Sequence, residues 1–188
     1  MPEEIEAKVR IADPEAFRRL MAARGLTAGP TVFEVNRLFD DAASSLRRAG
    51  SALRVREERD PADGRALRTL LTFKGPRRPG PLKRRDEFEL SVEAAEPMVA
   101  VLEHLGLRVS FQYEKRRTAW RAGDCEVALD EVPHLGWFAE VEGPTADAVH
   151  ACVAELGLAD LPLISESYVV LLYRCLEAMG KDPTRAAF

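Results

Sequence analysis

Residues 3–11 read Glu-Glu-Ile-Glu-Ala-Lys-Val-Arg-Ile, and charge alternates with apolarity along them. Glu4, Glu6, Lys8 and Arg10 fall on one side; Ile5, Ala7, Val9 and Ile11 fall on the other. Side chains at period two mean a strand with one polar and one apolar face. Such a strand buries its apolar face in the ordinary way. What the charged face meets must be read from the rest of the chain.

Immediately downstream, Asp13-Pro14 reads as a helix N-cap followed by a first helical residue. Phe17, Leu20 and Met21 form the apolar stripe of that helix, and Gly25 ends it. Beyond it most of the chain is extended: strands are predicted over 31–40, 51–59, 67–74, 85–93, 109–121, 125–132 and 137–142. Ala122-Gly123-Asp124 makes a hairpin turn, and the Pro- and Arg-rich stretch 75–84 is a candidate lid or entrance. Helices are predicted over 96–105, 145–156 and 166–179, and the residues after Gly180 are expected to fray. Eight strands and about four helices, with few helix-length crossovers, predict a mostly antiparallel sheet of the α+β class. The expected organisation is one domain over 1–180 with a tail over 181–188.

The polar parity persists on nearly every strand. It collects Glu4, Glu6 and Lys8; Arg54 and Arg56; Thr72 and Lys74; Arg85, Glu87 and Glu89; Lys115 and Arg117; Glu126 and Asp130; Glu140 and Glu142. Residues at i and i+2 point the same way, ~7 Å apart. Paired carboxylates offer a divalent cation the hard oxygen ligands it prefers. Paired arginines can grip phosphate oxygens with two hydrogen bonds each. Any one such pair is ordinary for a solvated antiparallel sheet. The whole set differs in being almost pure Glu, Asp, Arg and Lys, and like charges at this spacing repel without a counter-ligand. Eight such strands could close with the charges inside and the helices packed outside.

Composition narrows the partners. The chain has 188 residues, 46% of them apolar, enough for a real core, and a net charge of −4. That balance argues against general nucleic-acid binding, so the Arg77-Arg78 and Lys83-Arg84-Arg85 clusters read better as a solvated loop or an anion entrance. Three dispersed cysteines suggest neither a disulfide framework nor a zinc site. No signal-peptide pattern and no transmembrane-length apolar run is seen, so a cytoplasmic location and no membrane partner are expected. His104, His134 and His150 read as incidental, and Trp137 and Phe138 as packing residues, although Phe138 shares the polar parity and could stack on a nucleobase.

Glu4-Ile5-Glu6-Ala7-Lys8 is an ExExK motif. It is followed in order by Leu38-Phe39-Asp40, Leu53-Arg54-Val55-Arg56, Thr72-Phe73-Lys74-Gly75-Pro76, Glu87-Phe88-Glu89, Lys115-Arg116-Arg117, Leu129-Asp130-Glu131-Val132, Gly136-Trp137-Phe138-Ala139-Glu140-Val141-Glu142 and Ser167-Tyr168. The ordered set resembles the CYTH superfamily, the triphosphate tunnel metalloenzymes, over nearly the whole chain. The resemblance implies an eight-stranded antiparallel β-barrel tunnel with a polar interior. It also implies a Mg²⁺ or Mn²⁺ requirement and a substrate with a linear triphosphate, such as tripolyphosphate, ATP or thiamine triphosphate; a homodimer is admitted. Carried over by motif, Glu4, Glu6, Glu87, Asp130, Glu140 and Glu142 stand as metal-site acids. Lys8, Arg54, Arg56, Lys74, Lys115 and Arg117 stand as phosphate grips, with Lys8, Lys74 and Arg117 catalytic. Glu89 could support either set. One departure is noted: some triphosphatases of the family bring a base into the tunnel from a C-terminal element, and none of Arg174, Lys181 and Arg185 is clearly its equivalent. Hydrolysis of a triphosphate is the leading expectation. Cyclisation of ATP is the alternative, and a non-catalytic polyphosphate- or nucleotide-binding module is the second.

Overall fold

In the computed structural model, which describes residues 3–188, the alternation closes on itself. The strands are β1 (Glu3–Ile11), β2 (Val32–Asp40), β3 (Ala52–Arg59), β4 (Ala66–Lys74), β5 (Lys83–Val92), β6 (Arg108–Ala122), β7 (Cys125–Val132) and β8 (Gly136–Glu142). They pair in the order β2-β3-β4-β5-β1-β8-β7-β6, and β6 returns to β2. Every pairing in that ring is antiparallel. The result is a closed eight-stranded barrel with no free edge to protect. β6 has the length to serve two neighbours: residues from Arg108 to Arg117 pair with β2, and residues from Arg116 to Ala122 pair with β7.

Register fixes which face is inside. Glu6 stands opposite Glu142, Lys8 opposite Glu140 and Arg117 opposite Asp130, so equal parities meet across strands. The other parity turns outward and is covered by helices. Ile5, Ala7 and Val9 of β1, with Val127, Leu129, Ala139 and Val141, pack against α1 (Pro14–Ala23) and α4 (Ala146–Glu155) through Phe17, Met21, Val149, Cys152 and Val153. Val55, Leu53 and Leu71 pack against α3 (Ala95–His104). The helix starts follow the sequence: Asp13 accepts from the Ala16 amide at 2.9 Å, and Thr145 and Ser167 cap α4 and α5 (Tyr168–Ala178) in the same way.

α5 is placed differently from the other helices. Its residues Tyr168, Leu172 and Leu176 pack on Phe111, Tyr113, Val132 and Phe138, which share the parity of the tunnel charges. The helix therefore lies across one end of the barrel. Phe138 is fully buried there with its ring edge-on to Tyr168, so it fills the core and is closed to a nucleobase.

Three expectations are corrected. The residues after Gly180 are not frayed: Arg185–Ala186 forms a short strand, β9, parallel to β6 at Gln112 and Tyr113, and Ala186 is buried. A short helix, α2 (Ser45–Arg48), brings the described helices to five. β5 begins at Lys83, two residues earlier than expected, which takes Lys83 out of the loop and into the barrel wall.

Candidate active site

The barrel encloses a cavity of about 1490 Å³. All the phosphate-grip and metal-site candidates except Asp130 line it, and Asp130 lies fully buried immediately behind Lys115 and Arg117. The structure thus brings the predicted residues together but sorts the acids into two groups, with Glu87 outside both and paired with Lys74.

The first group is Glu4, Glu6 and Glu142. Each offers a carboxylate oxygen, and the three oxygens lie within 4.8 Å of one another. ExE spacing on β1 puts Glu4 and Glu6 on the same face, and register puts Glu142 opposite Glu6. Burial, and then the charges of Glu4 and Glu6, push the Glu142 carboxyl up to about 7. Its exposure to water at the tunnel mouth moderates that repulsion. Glu4 Oε2 is buried and accepts no hydrogen bond among the described residues, although its other oxygen accepts from Lys74 at 2.6 Å. Converging carboxylates with mutual repulsion, and a buried oxygen that lacks a hydrogen bond and has Arg85 Nε 3.6 Å away, fit a hard divalent cation. Lys74 also reaches Glu87 at 3.0 Å, and Lys83 Nζ donates to Glu6.

The second group is Asp130 and Glu140, and these face bases. Arg117 donates to both oxygens of Asp130 at 2.7 Å, and Lys115 donates at 3.1 Å. Glu140 sits 3.2 Å from Lys8 Nζ and bonds Arg117. Burial alone would raise the Glu140 carboxyl, but Lys8 and Arg117 outweigh it and hold it well below the usual range. For Lys8, burial dominates over its acidic partners and lowers the ammonium. Lys8 also donates to the Glu166 carbonyl at 3.1 Å and lies 3.9 Å from the centre of the Tyr168 ring.

On the far wall Arg56 lies 3.3 Å from Glu89 and 3.4 Å from Glu34, and Arg54 reaches Thr72 at 3.4 Å. Glu89 supports the arginines here, since Thr72 also donates to it at 2.9 Å.

Three interior residues have no site role in the sequence reading. Glu34 of β2 is fully buried among bases. Lys83 was assigned to the loop. Tyr168 enters the sequence reading through the Ser167-Tyr168 segment, with no site role attached, and its hydroxyl donates to Asp130 at 2.9 Å. Burial and then Asp130 raise that phenol well above its usual range, so it remains a donor. Tyr168 is also what the C-terminal element delivers to the tunnel. Arg174 stays at the mouth, 3.3 Å from Glu166.

Residues 2–162 match the CYTH domain. The chain belongs to the CYTH family. A relative from Methanocaldococcus jannaschii named "putative adenylate cyclase" is 29% identical over 144 residues, covering 77% of this chain and 78% of that protein. A "putative adenylate cyclase" of Vibrio parahaemolyticus superposes with a TM-score of 0.75 at 22% identity, covering 90% of this chain and 97% of that one. A "putative adenylyl cyclase" of Hippeastrum, described as revealing a dominant triphosphatase activity, superposes with a TM-score of 0.68 at 21% identity, covering 95% and 97%. These two likenesses establish that the CYTH tunnel is the fold of this chain.

Proposed function

We propose that this chain hydrolyses a triphosphate, inorganic or organic, with a divalent cation bound at Glu4, Glu6 and Glu142. The observation that carries the reading is the juxtaposition of that carboxylate cluster with a basic wall, part buried and part half-buried, in one closed barrel. Most of the wall's charge is already matched: Lys74 by Glu4 and Glu87, Lys83 by Glu6, Lys8 by Glu140 and Arg117 by Asp130. An unaccompanied triphosphate would therefore meet little net positive charge. The cation supplies the missing charge and polarises phosphoryl oxygens. Its identity, Mg²⁺ or Mn²⁺, is part of the proposal.

The chain's own residues do the rest. Arg54, Arg56 and Arg117 hold the phosphoryl oxygens in line. Lys115 adds positive charge behind them. Lys8, with its lowered pKa, is suited to give a proton to the departing phosphate as water oxygen bonds to the terminal phosphorus and the bridging P–O bond breaks; the attacking water's proton passes to solvent, from which Lys8 is reprotonated. Lys74 lines the same cavity and balances Glu4 and Glu87.

Cyclisation of ATP is favoured by the name of the Methanocaldococcus relative. It would require a wall for the base and ribose at one mouth. With Phe138 buried, the exposed ring of Tyr173 beside that mouth would have to serve. The test is incubation with Mg²⁺ or Mn²⁺ and tripolyphosphate, ATP or thiamine triphosphate, with chromatographic separation of products. Orthophosphate release from tripolyphosphate is expected to be the faster reaction. Cyclic AMP and pyrophosphate from ATP, with tripolyphosphate left intact, would replace hydrolase by cyclase.

A further inference from the structure

Glu34 has no task in a clamp made of one acidic cluster and one basic wall. It lies outside the Glu4–Glu6–Glu142 cluster and has no exposed surface. One of its oxygens is 3.4 Å from Arg56 Nη1 and 3.8 Å from Arg117 Nε. The other is 3.5 Å from Lys115 Nζ and accepts from Asn36 Nδ2 at 3.2 Å. Its bases come from β3 and from β6, the two strands that flank β2. They are the side chains to which the proposed function assigns the phosphate, so a carboxylate stands where a phosphate would draw its charge.

We propose that Glu34 is a resident counter-anion of the basic wall, and that its fixed charge makes the tunnel selective for metal-complexed over free triphosphate. Resting on the reading of the site as a triphosphate tunnel, the inference has two physical parts. In the substrate-free barrel, buried Lys115 and half-buried Arg56 and Arg117 lie together, and their mutual repulsion needs an internal anion. Once a polyphosphate enters, that same carboxylate repels it. A unit charge ~6 Å away at an effective dielectric of ~20 corresponds to roughly a hundredfold in affinity. Free triphosphate bears this penalty in full. Triphosphate carrying a cation bears less, because its net charge is smaller.

The test is calorimetric titration of the full chain with tripolyphosphate, in EDTA and in Mg²⁺, for wild type and Glu34→Gln. The amide keeps the side-chain shape and removes the charge. Metal-free affinity is expected to rise at least about tenfold, with a smaller change in Mg²⁺, so the preference for the complex narrows. Glu131→Gln, which removes the same charge from the outer face where it pairs with Arg116, should leave the preference alone. Glu34→Asp, which keeps the charge, should retain it. If Glu34→Gln is destabilised, tripolyphosphate in EDTA should raise its melting temperature more than it raises that of wild type, because phosphate then substitutes for the missing carboxylate.

Metal-free affinity that is unchanged or weaker in a folded Glu34→Gln overturns the inference. So does a destabilised Glu34→Gln whose melting temperature tripolyphosphate in EDTA raises no more than that of wild type. Wild type that binds tripolyphosphate in neither condition overturns the functional reading itself. Wild type that binds in Mg²⁺ beside a variant with unaltered selectivity overturns the Glu34 inference alone.

Discussion

Replacing Asp130 by Asn distinguishes an anchor of the basic wall from a ligand of the cation. Asp130 is fully buried and receives two bonds from Arg117, one from Lys115 and one from Tyr168. The amide preserves shape, but it turns one acceptor into a donor and leaves buried bases under-compensated. Breaking a buried ion pair costs about 3–5 kcal/mol. Arg117 keeps Glu140 and Glu34 nearby, which places the expected loss near the lower end. For a chain of this size, ~3 kcal/mol corresponds to a fall of roughly 6–12 °C in melting temperature. The assay is thermal unfolding followed by circular dichroism in EDTA and again in excess Mn²⁺. Tyr168→Phe should cost less, about 1.5–3 kcal/mol for one charged hydrogen bond. The double variant should lose less than the sum, because both changes break the same bond. An EDTA melt of Asp130→Asn within about 2 °C of wild type would refute the anchor role. A difference that emerges only with Mn²⁺ would return Asp130 to the cation.

Arg56→Ala should lower kcat/KM for tripolyphosphate by about one to two decades through loss of a charged hydrogen bond, while the melt stays cooperative; unchanged kinetics in the folded variant would remove it from the grip. Glu142→Gln should weaken Mn²⁺ binding with partial return of activity at high Mn²⁺, whereas Glu140→Gln should impair turnover with the metal dependence retained, since Glu140 faces Lys8 and Arg117; equal metal dependence in both variants would contradict the sorting of the acids. Because the Glu142 carboxyl is pushed up to about 7, it is protonated below that pH and must lose its proton to ligate. Mn²⁺ affinity should therefore rise by about tenfold per pH unit on the acid side and flatten above neutrality; calorimetry showing a flat profile from pH 5.5 to about 8 would count against it.

The barrel was legible because its inner face obeys period two on strand after strand, and charged residues make that period visible. The ExE spacing on β1 carries Glu4 and Glu6 to one face without help from any distant contact. Glu34 was legible in principle, since it alternates between Phe33 and Val35. The next residues, Arg37 outside and Leu38 inside, reverse the usual polarity and blur β2. Lys83 was hidden by Pro79, Gly80 and Pro81, which announce a loop that ends sooner than the basic run does. Tyr168 belongs to an apolar helical stripe, and helical spacing alone says only that it packs. Its bond to Asp130 spans 38 positions and depends on α5 crossing the barrel end. The pairing of Asp130 and Glu140 with bases was equally non-local, because a parity assigns a face and leaves the partner on that face undetermined. β9 followed the same rule: Ala186 gains its partner only when the chain returns to β6.

Anomalous diffraction at the manganese edge, from crystals grown with Mn²⁺ and tripolyphosphate, tests the central claim most directly. A manganese peak is expected among the carboxylates of Glu4, Glu6 and Glu142, with phosphate density running inside the barrel past Arg54, Arg56 and Arg117. Manganese held away from those three glutamates, or tripolyphosphate bound on the outer surface with the tunnel filled by water, would contradict it.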